Sequence, residues 1–368
     1  STDSVFPGPA LTGSVNVRGV VIGMDGPKTV NTQYGERELC EVQLRPDRGR
    51  GEPTTVTLWG DWVENARQLD PGMELAVYDA EERTYQGETQ YTTGSDTTVV
   101  VEPDFIVDVT DIRAWVQCPR MYYLNKIDGL PLVYPVVKGT IVHEVFGDLL
   151  RGRDLDAAVD EQVEVAGLEL GLLGRDRESV TEEVHDHASA IEGWLAQGTL
   201  VSEDGAATTA DGSERDFSPA ASEWRSEQTL ISERYGIKGR ADAVRQGMPV
   251  ELKTGKNTRR EPRFHDKIQA AAYALILGER AAEETAAAEM MGDGGTAASD
   301  GDGPDTPSAL AAAPDTGALL YTKNAAVERA DESGDLSPAK EFSIGSGLLE
   351  FVLRERNAIA AMEHRMEV

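Results

Sequence analysis

Cysteine is almost absent from this chain: Cys40 and Cys118 are the two in 368 residues, far apart in sequence. Such a pair makes no disulfide framework. No run of about 18 apolar residues marks a membrane-spanning helix. No secretory or targeting pattern is present either, so the expected location is cytoplasmic, with no membrane partner. Aromatic residues make up 6%, and 35 basic residues face 65 acidic ones, a formal net charge of −30. Nucleic-acid binders are usually basic. Either the protein avoids polyanions, or its acidity is a surface trait of a salt-saturated cytoplasm. Scarce lysine, abundant Asp, Glu, Ala, Val and Gly, and acidic residues along almost the whole chain favour the second, halophilic reading. In multimolar salt the Debye length falls to about 3 Å, so only close contacts count. No phosphate loop of the form GxxxxGK followed by Ser or Thr is present, so this chain carries no ATP-driven motor of its own.

What is there supports two domains with sizeable cores, at 40% hydrophobic residues. Residues 1–13, rich in Pro, Gly and Ser, read as loose. From Val15 the pattern is β: SVNVRGVVIGM, ERELCEVQLR and PTTVTLWG. DWVENARQLD reads as a short helix with Val63, Ala66 and Leu69 inward, and MELAVYDAEERTYQ and TQYTTGSDTTVVVEP supply more strands. Five or six strands with a helix between the third and fourth suit an all-β OB-fold barrel over residues 1–108. The stretch VTLWGDWVENARQLDPGMELAVYDA resembles the barrels of replication protein A-like single-strand binders. Such a platform would stack bases on Tyr34, Trp59, Tyr85 or Tyr91, with Arg37, Arg45 or Arg48 near phosphates. The plainer alternative makes Trp59 and Val56 core and the barrel a scaffold. Cys40 alternates with Leu39 and Val42 as a small buried hydrophobe.

Phe105–Val109 reads as a seam. Asp111 is placed to cap the helix DIRAWVQCPRMYYLNKI, which Pro119 breaks. In VVKGTIVHEVFGDLLRG, Val137, Ile141, Val145 and Leu149 recur every four residues as an amphipathic helix, and His143 lies off that line. Helices are expected over about 155–172 and 179–197, with His185 and His187 on the surface, then a polar loop at 201–219. Residues 227–273 hold the densest chemistry. Glu227 sits near a strand that turns at Tyr235–Gly236, and Asp242 lies on the next apolar run. Glu251 and Lys253 flank Leu252 on a third and share a face, because strand side chains alternate. Gln269 and Tyr273, four apart, share a face of a long helix ending near Ala282. Two carboxylates and an ammonium at one sheet edge are the minimum for holding a hard divalent cation and a phosphate together. Taken alone, Glu251 and Lys253 are an exposed ion pair, and a lone His143 is an ordinary polar residue. Residues 283–316 read as an acidic low-complexity insertion without order. TGALLYTKN and KEFSI are strands, and 346–365 is a last amphipathic helix.

The blocks CPRMYYL, VKGTIVHEVF, YGIKGRADAV, ELKTGK and HDKIQAAAYALIL, in this order, resemble the RecB-like branch of the PD-(D/E)xK nucleases. They resemble more closely the nuclease domain of replication nuclease-helicases that trim flaps and resected ends. The resemblance implies an α/β restriction-endonuclease-like core with flanking helices over residues 109–368. It implies cleavage of single-stranded DNA with Mg²⁺ or Mn²⁺ held by His143, Asp242 and Glu251. Lys253 would orient the attacking water or stabilise the transition state, and Glu227 would support the metal shell. Gln269 and Tyr273 would contact DNA, with Arg240 and Lys256 on phosphates. The family often carries a 4Fe–4S cluster on four cysteines, of which Cys118 matches the first; the other three do not exist here. Either the cluster is lost, or the chain stops before those cysteines and a helicase domain. The start at Ser1 and the abrupt end favour a piece of a longer protein. Implied partners are single-stranded DNA, a helicase domain and replication proteins. Two other classes stay open: a non-catalytic single-strand-binding module that guides a partner nuclease or helicase, and an acidic scaffold with no nucleic-acid role.

Overall fold

In a computed structural model, residues 15–33, 35–46, 52–85, 88–129, 131–197, 224–257, 261–292, 308–323 and 339–367 are described. Residues 1–13, the loop 201–219, Tyr34, Arg48 and the side chain of Tyr85 lie outside them. The first six strands are β1 (Val15–Thr32), β2 (Gly35–Arg45), β3 (Thr54–Trp59), β4 (Glu74–Tyr85), β5 (Glu88–Thr92) and β6 (Thr98–Val101). They pair in the order β1–β2–β3–β5–β4–β6, and β4 also pairs with β1, so the sheet closes into a ring. Alternation explains its interior: Cys40, Val42 and Leu44 on β2, with Val56 and Leu58 on β3, are all buried. A 3₁₀ turn at Gly60–Trp62 and α1 (Val63–Ala66) link β3 to β4, with Trp62, Val63, Ala66 and Leu69 buried. Tyr91, expected as a stacking surface, is only 6% exposed and belongs to this core. Trp59 is half-buried and its Nε1 donates to Thr92 Oγ1 at 2.9 Å, whereas Arg37 and Arg45 are exposed.

The second sheet contains β7 (Val107–Asp108), β8 (Trp224–Ser232), β9 (Ile237–Arg245), β10 (Met248–Lys253), β11 (Thr316–Tyr321) and β12 (Ala339–Ser343). Its order is β12–β11–β10–β9–β7, with β8 also on β9. Helices cover both faces. On one side lie α2 (Val109–Gln117), α8 (Phe264–Gly292) and α9 (Ser346–Glu367). On the other lie α4 (Tyr134–Leu150), α5 (Leu155–Val165), α6 (Gly167–Leu172) and α7 (Arg177–Gln197). Val250 and Leu252 join the cluster formed with α4, α5 and α7, together with Ala318 and Leu320 of β11. Leu319 and Tyr321, the alternate residues, join the α8 side. Val137, Ile141, Val145 and Leu149 are buried, as their period of four requires.

Several local expectations are corrected. Asp108, not Asp111, caps α2: its backbone is extended and its carboxylate accepts from Thr110 N at 2.9 Å, while Asp111 sits in the first turn. The chain does break at Cys118, which is extended, and Pro119 opens α3 (Pro119–Asp128). α8 continues past Ala282 to Gly292, because its Ala- and Glu-rich sequence is strongly helix-forming. Ser308, Ala309 and Leu310 are buried, so both ends of the expected insertion are structured, and only 293–307 lies outside the described residues.

Ring and sheet share one hydrophobic cluster that runs from Val56 and Leu75 through Ile112 to Tyr273 and Phe342. At the seam the fully buried Arg356 of α9 donates to the carbonyls of Val101, Glu102, Phe105 and Gly236. Gly236 has φ +59, and a Cβ there would fall 2.9 Å from Pro103 O, so glycine is required. Asn357 accepts from Val101 N and donates to Val99 O, and Arg234 pairs with the buried Asp79 of β4.

Candidate active site

The β9–β10 ladder ends at the pair Val250–Ala243. Beyond it, Asp242 Oδ2 accepts the Leu252 N–H at 2.7 Å, replacing the carbonyl that a continued ladder would have offered. The strands part there, and a cleft of about 490 Å³ opens, lined by His143, Glu227, Arg240, Asp242, Lys253 and Gln269 among others. Five elements furnish these side chains: α4, β8, the diverging ends of β9 and β10, and α8.

Asp242 Oδ1 meets His143 Nδ1 at 2.7 Å. Burial lowers the imidazole's proton affinity, but the charge of Asp242, its hydrogen bond and the more distant Glu251 outweigh this, and the net shift is upward. Burial likewise opposes ionisation of Asp242. His143, Lys253 and the Leu252 N–H overcome it, and the carboxyl lies below its ordinary value. Glu251 is the opposite case. It is 0% exposed, and burial followed by the neighbouring charge of Asp242 pushes it up to about 8. Its Oε2 accepts from Lys253 Nζ at 3.1 Å, while Oε1 is buried with no partner among the described residues.

The α8 face at Asp266, Gln269 and Tyr273 fixes the cleft walls. Gln269 Oε1 accepts from Lys253 Nζ at 2.7 Å. Tyr273 is 1% exposed and its hydroxyl donates to Arg240 O at 2.8 Å. Tyr273 is thus a buried strut rather than a DNA-facing residue. Its close approach to β9 needs Gly239, where a Cβ would stand 2.9 Å from Tyr273 Cε1. Glu227 lies in β8 at φ 52, and pairs with Arg151, the C-cap of α4, and with Arg240 of β9. Burial and the adjacent Glu227 push Glu144 upward. Arg240 is therefore balanced by Glu144 and Glu227 at the cleft rim. Lys256 is exposed and does not line the cleft; Trp59 belongs to the ring.

His187 is corrected from surface to interior. It is 5% exposed, and its Nδ1 lies 2.8 Å from Thr322 Oγ1; the Thr322 N–H donates to Lys253 O at 3.0 Å. Burial, with the charges of Lys138 and Lys323, pushes its pKa down to about 4. The signal was available in its spacing from the buried Val184 and Ile191 on the same helical face. Arg113 and Glu144 also line the cleft and were missed. No local pattern marked either.

Among the described residues, no three His, Cys, Asp or Glu groups stand as a ready-made metal site. His143 and Asp242 hold each other, and Lys253 holds Glu251. The donor chemistry nonetheless fits a hard divalent cation: the half-buried Asp242 and the fully buried Glu251 repel, and Glu251 Oε1 has no partner among the described residues. A four-thiolate cluster does not fit. Cys40 is buried in the ring, which leaves Cys118 as the one other thiol in the chain.

A mixed α/β body that brings a carboxylate, a lysine and a histidine to one cleft, with the buried Glu251 behind them, is consistent with a nuclease-like fold. The profile of the DNA replication factor Dna2 family matches residues 47–247, more than half of the chain, and the chain belongs to that family. It is a family of DNA nuclease-helicases of replication and repair. The match includes Arg113, Cys118, His143, Glu227, Arg240 and Asp242, and stops before Glu251. No curated protein matches the chain. Among the described residues, no helix is long and apolar enough to cross a membrane.

Proposed function

We propose that this chain is a divalent-metal-dependent nuclease that cuts single-stranded DNA, flaps or resected ends, in replication and repair. The observation that carries the reading is the half-buried Asp242 with Lys253 at an open cleft, and the fully buried Glu251 directly behind them. Asp242 and Glu251, with His143 as third ligand, would hold Mg²⁺ or Mn²⁺. When bound, the cation supplies charge neutralisation at the phosphoryl oxygens and a more acidic water. Lys253, aimed by Gln269, donates to the attacking water or to a phosphoryl oxygen as charge builds there. His143 keeps Asp242 oriented through Nδ1. Glu227 acts at one remove, by holding Arg240 and Arg151 against α4.

The ring, in this reading, is an OB-fold barrel that guides the strand, with Trp59, Arg37 and Arg45 as its contacts. Residues from about 109 onward form the restriction-endonuclease-like unit. Acidity, in this reading, is a halophilic, cytoplasmic trait. Cleavage of a labelled single strand with Mg²⁺, lost on chelation and in Lys253→Ala, is the expected result; undiminished cleavage by Lys253→Ala contradicts it. The closed pairings of His143 with Asp242 and Lys253 with Glu251 favour one second reading, a non-catalytic guide for a partner nuclease. Tight strand binding without cleavage under any divalent metal would support that instead.

A further inference from the structure

Arg113 stands on α2, away from the strands that carry the carboxylates, yet lines the same cleft as Lys253, Asp242 and His143. Its Nε and Nη2 both donate to Asp266 Oδ1, at 3.1 and 2.9 Å. The other oxygen, Oδ2, accepts from the Tyr321 hydroxyl at 3.0 Å. Asp266 is thereby immobilised from inside the protein, three residues before Gln269 on α8. One helical face fixes both cations of the inner cleft: Asp266 aims Arg113, and Gln269 aims Lys253.

The pair is oriented. The Asp266 side chain is 1% exposed and that of Arg113 is 31%, so the negative end is sealed in and the positive end meets the cleft. Held by one edge of its fork, Arg113 keeps Nη1 without a protein partner among the described residues. A guanidinium fixed in this way presents planar donors to an oxyanion at little entropic cost. Arg240 offers no equivalent, because two carboxylates already balance it at the rim.

Resting on the nuclease reading above, we infer that Arg113 forms a second phosphate subsite. It receives a phosphodiester neighbouring the one that is cut, and so fixes the register of the strand. Arg113 contacts substrate without taking part in bond breaking, and Asp266 is its positioning residue.

The test uses single-stranded oligonucleotides in which one phosphate at a time, around a preferred cleavage bond, is replaced by an uncharged methylphosphonate. Wild type is compared with Arg113→Gln and with Arg113→Gln combined with Asp266→Asn, which avoids a buried carboxylate left alone. In wild type, neutralising one neighbouring phosphate is expected to slow cleavage about tenfold, as loss of a charge-assisted hydrogen bond does. In both variants that penalty disappears, while penalties at other positions persist. An equal penalty at every position in wild type and variants overturns the subsite. Wild type that cleaves no oligonucleotide overturns the nuclease reading itself, a distinguishable failure.

Discussion

Replacing Glu251 by Gln should stabilise the metal-free protein while abolishing cleavage. Glu251 is buried beside Asp242, and its carboxyl is pushed up to about 8 from an ordinary 4.5. At pH 7 the folded chain must keep a proton there that the unfolded chain releases, and the gap corresponds to about 3 kcal/mol of lost stability. The sign follows from the upward shift. The penalty is absent below about pH 4.5, grows as pH rises, and levels off above about pH 8. An amide has no proton to release, so Glu251→Gln gains up to about 3 kcal/mol at pH 7 and nothing near pH 4.5. Denaturant unfolding in chelator, at constant salt and several pH values, reads this directly. Added Mg²⁺ should then raise wild-type stability and leave the variant unmoved, since binding to the folded state alone adds stability. A variant equally or less stable at pH 7, or a difference that does not change with pH, refutes the buried-pair reasoning.

Three further outcomes are expected. Gln269→Ala frees Lys253 from its 2.7 Å bond and should lower kcat about tenfold with little change in KM for DNA, measured in steady state. His187, with its folded value lowered to about 4, gives stability that is complete above about pH 6.5 and lost as pH falls toward 4; in His187→Asn, thermal melts should show that loss shrink by about 1–3 kcal/mol. Arg356→Met takes the guanidinium from four seam carbonyls, of which Glu102 O and Gly236 O keep backbone donors from Phe105 and Val107, and should cost about 2–4 kcal/mol in denaturant unfolding, with the ring more open to limited proteolysis.

Periodicity carried much of the architecture. The four-residue repeat of Val137, Ile141, Val145 and Leu149 marked the buried side of α4, and alternation in β10 put Glu251 and Lys253 together, away from Val250 and Leu252. Both are local properties of a chain that buries apolar area. The break at Cys118 was equally local, because Pro119 cannot continue a helix. What escaped was relational. Asp108 and Asp111 both have capping chemistry, and only the extended backbone at Asp108 decides between them. Tyr273 has the spacing of a site residue, but its hydroxyl is drawn inward to Arg240 O. Arg113 finds Asp266 across 153 residues, a pairing that no sequence window contains. His187 shares a helical face with the buried Val184 and Ile191, and that spacing places it inside.

The central claim is most directly tested by Asp242→Ala, whose carboxylate joins His143 to the Leu252 N–H at the floor of the cleft. Cleavage of a single-stranded oligonucleotide with Mg²⁺ or Mn²⁺ should be measured beside binding of the same strand. The account predicts that wild type cuts and chelator stops it, while Asp242→Ala still binds the strand and leaves it intact. Cleavage by Asp242→Ala at the wild-type rate would contradict the account.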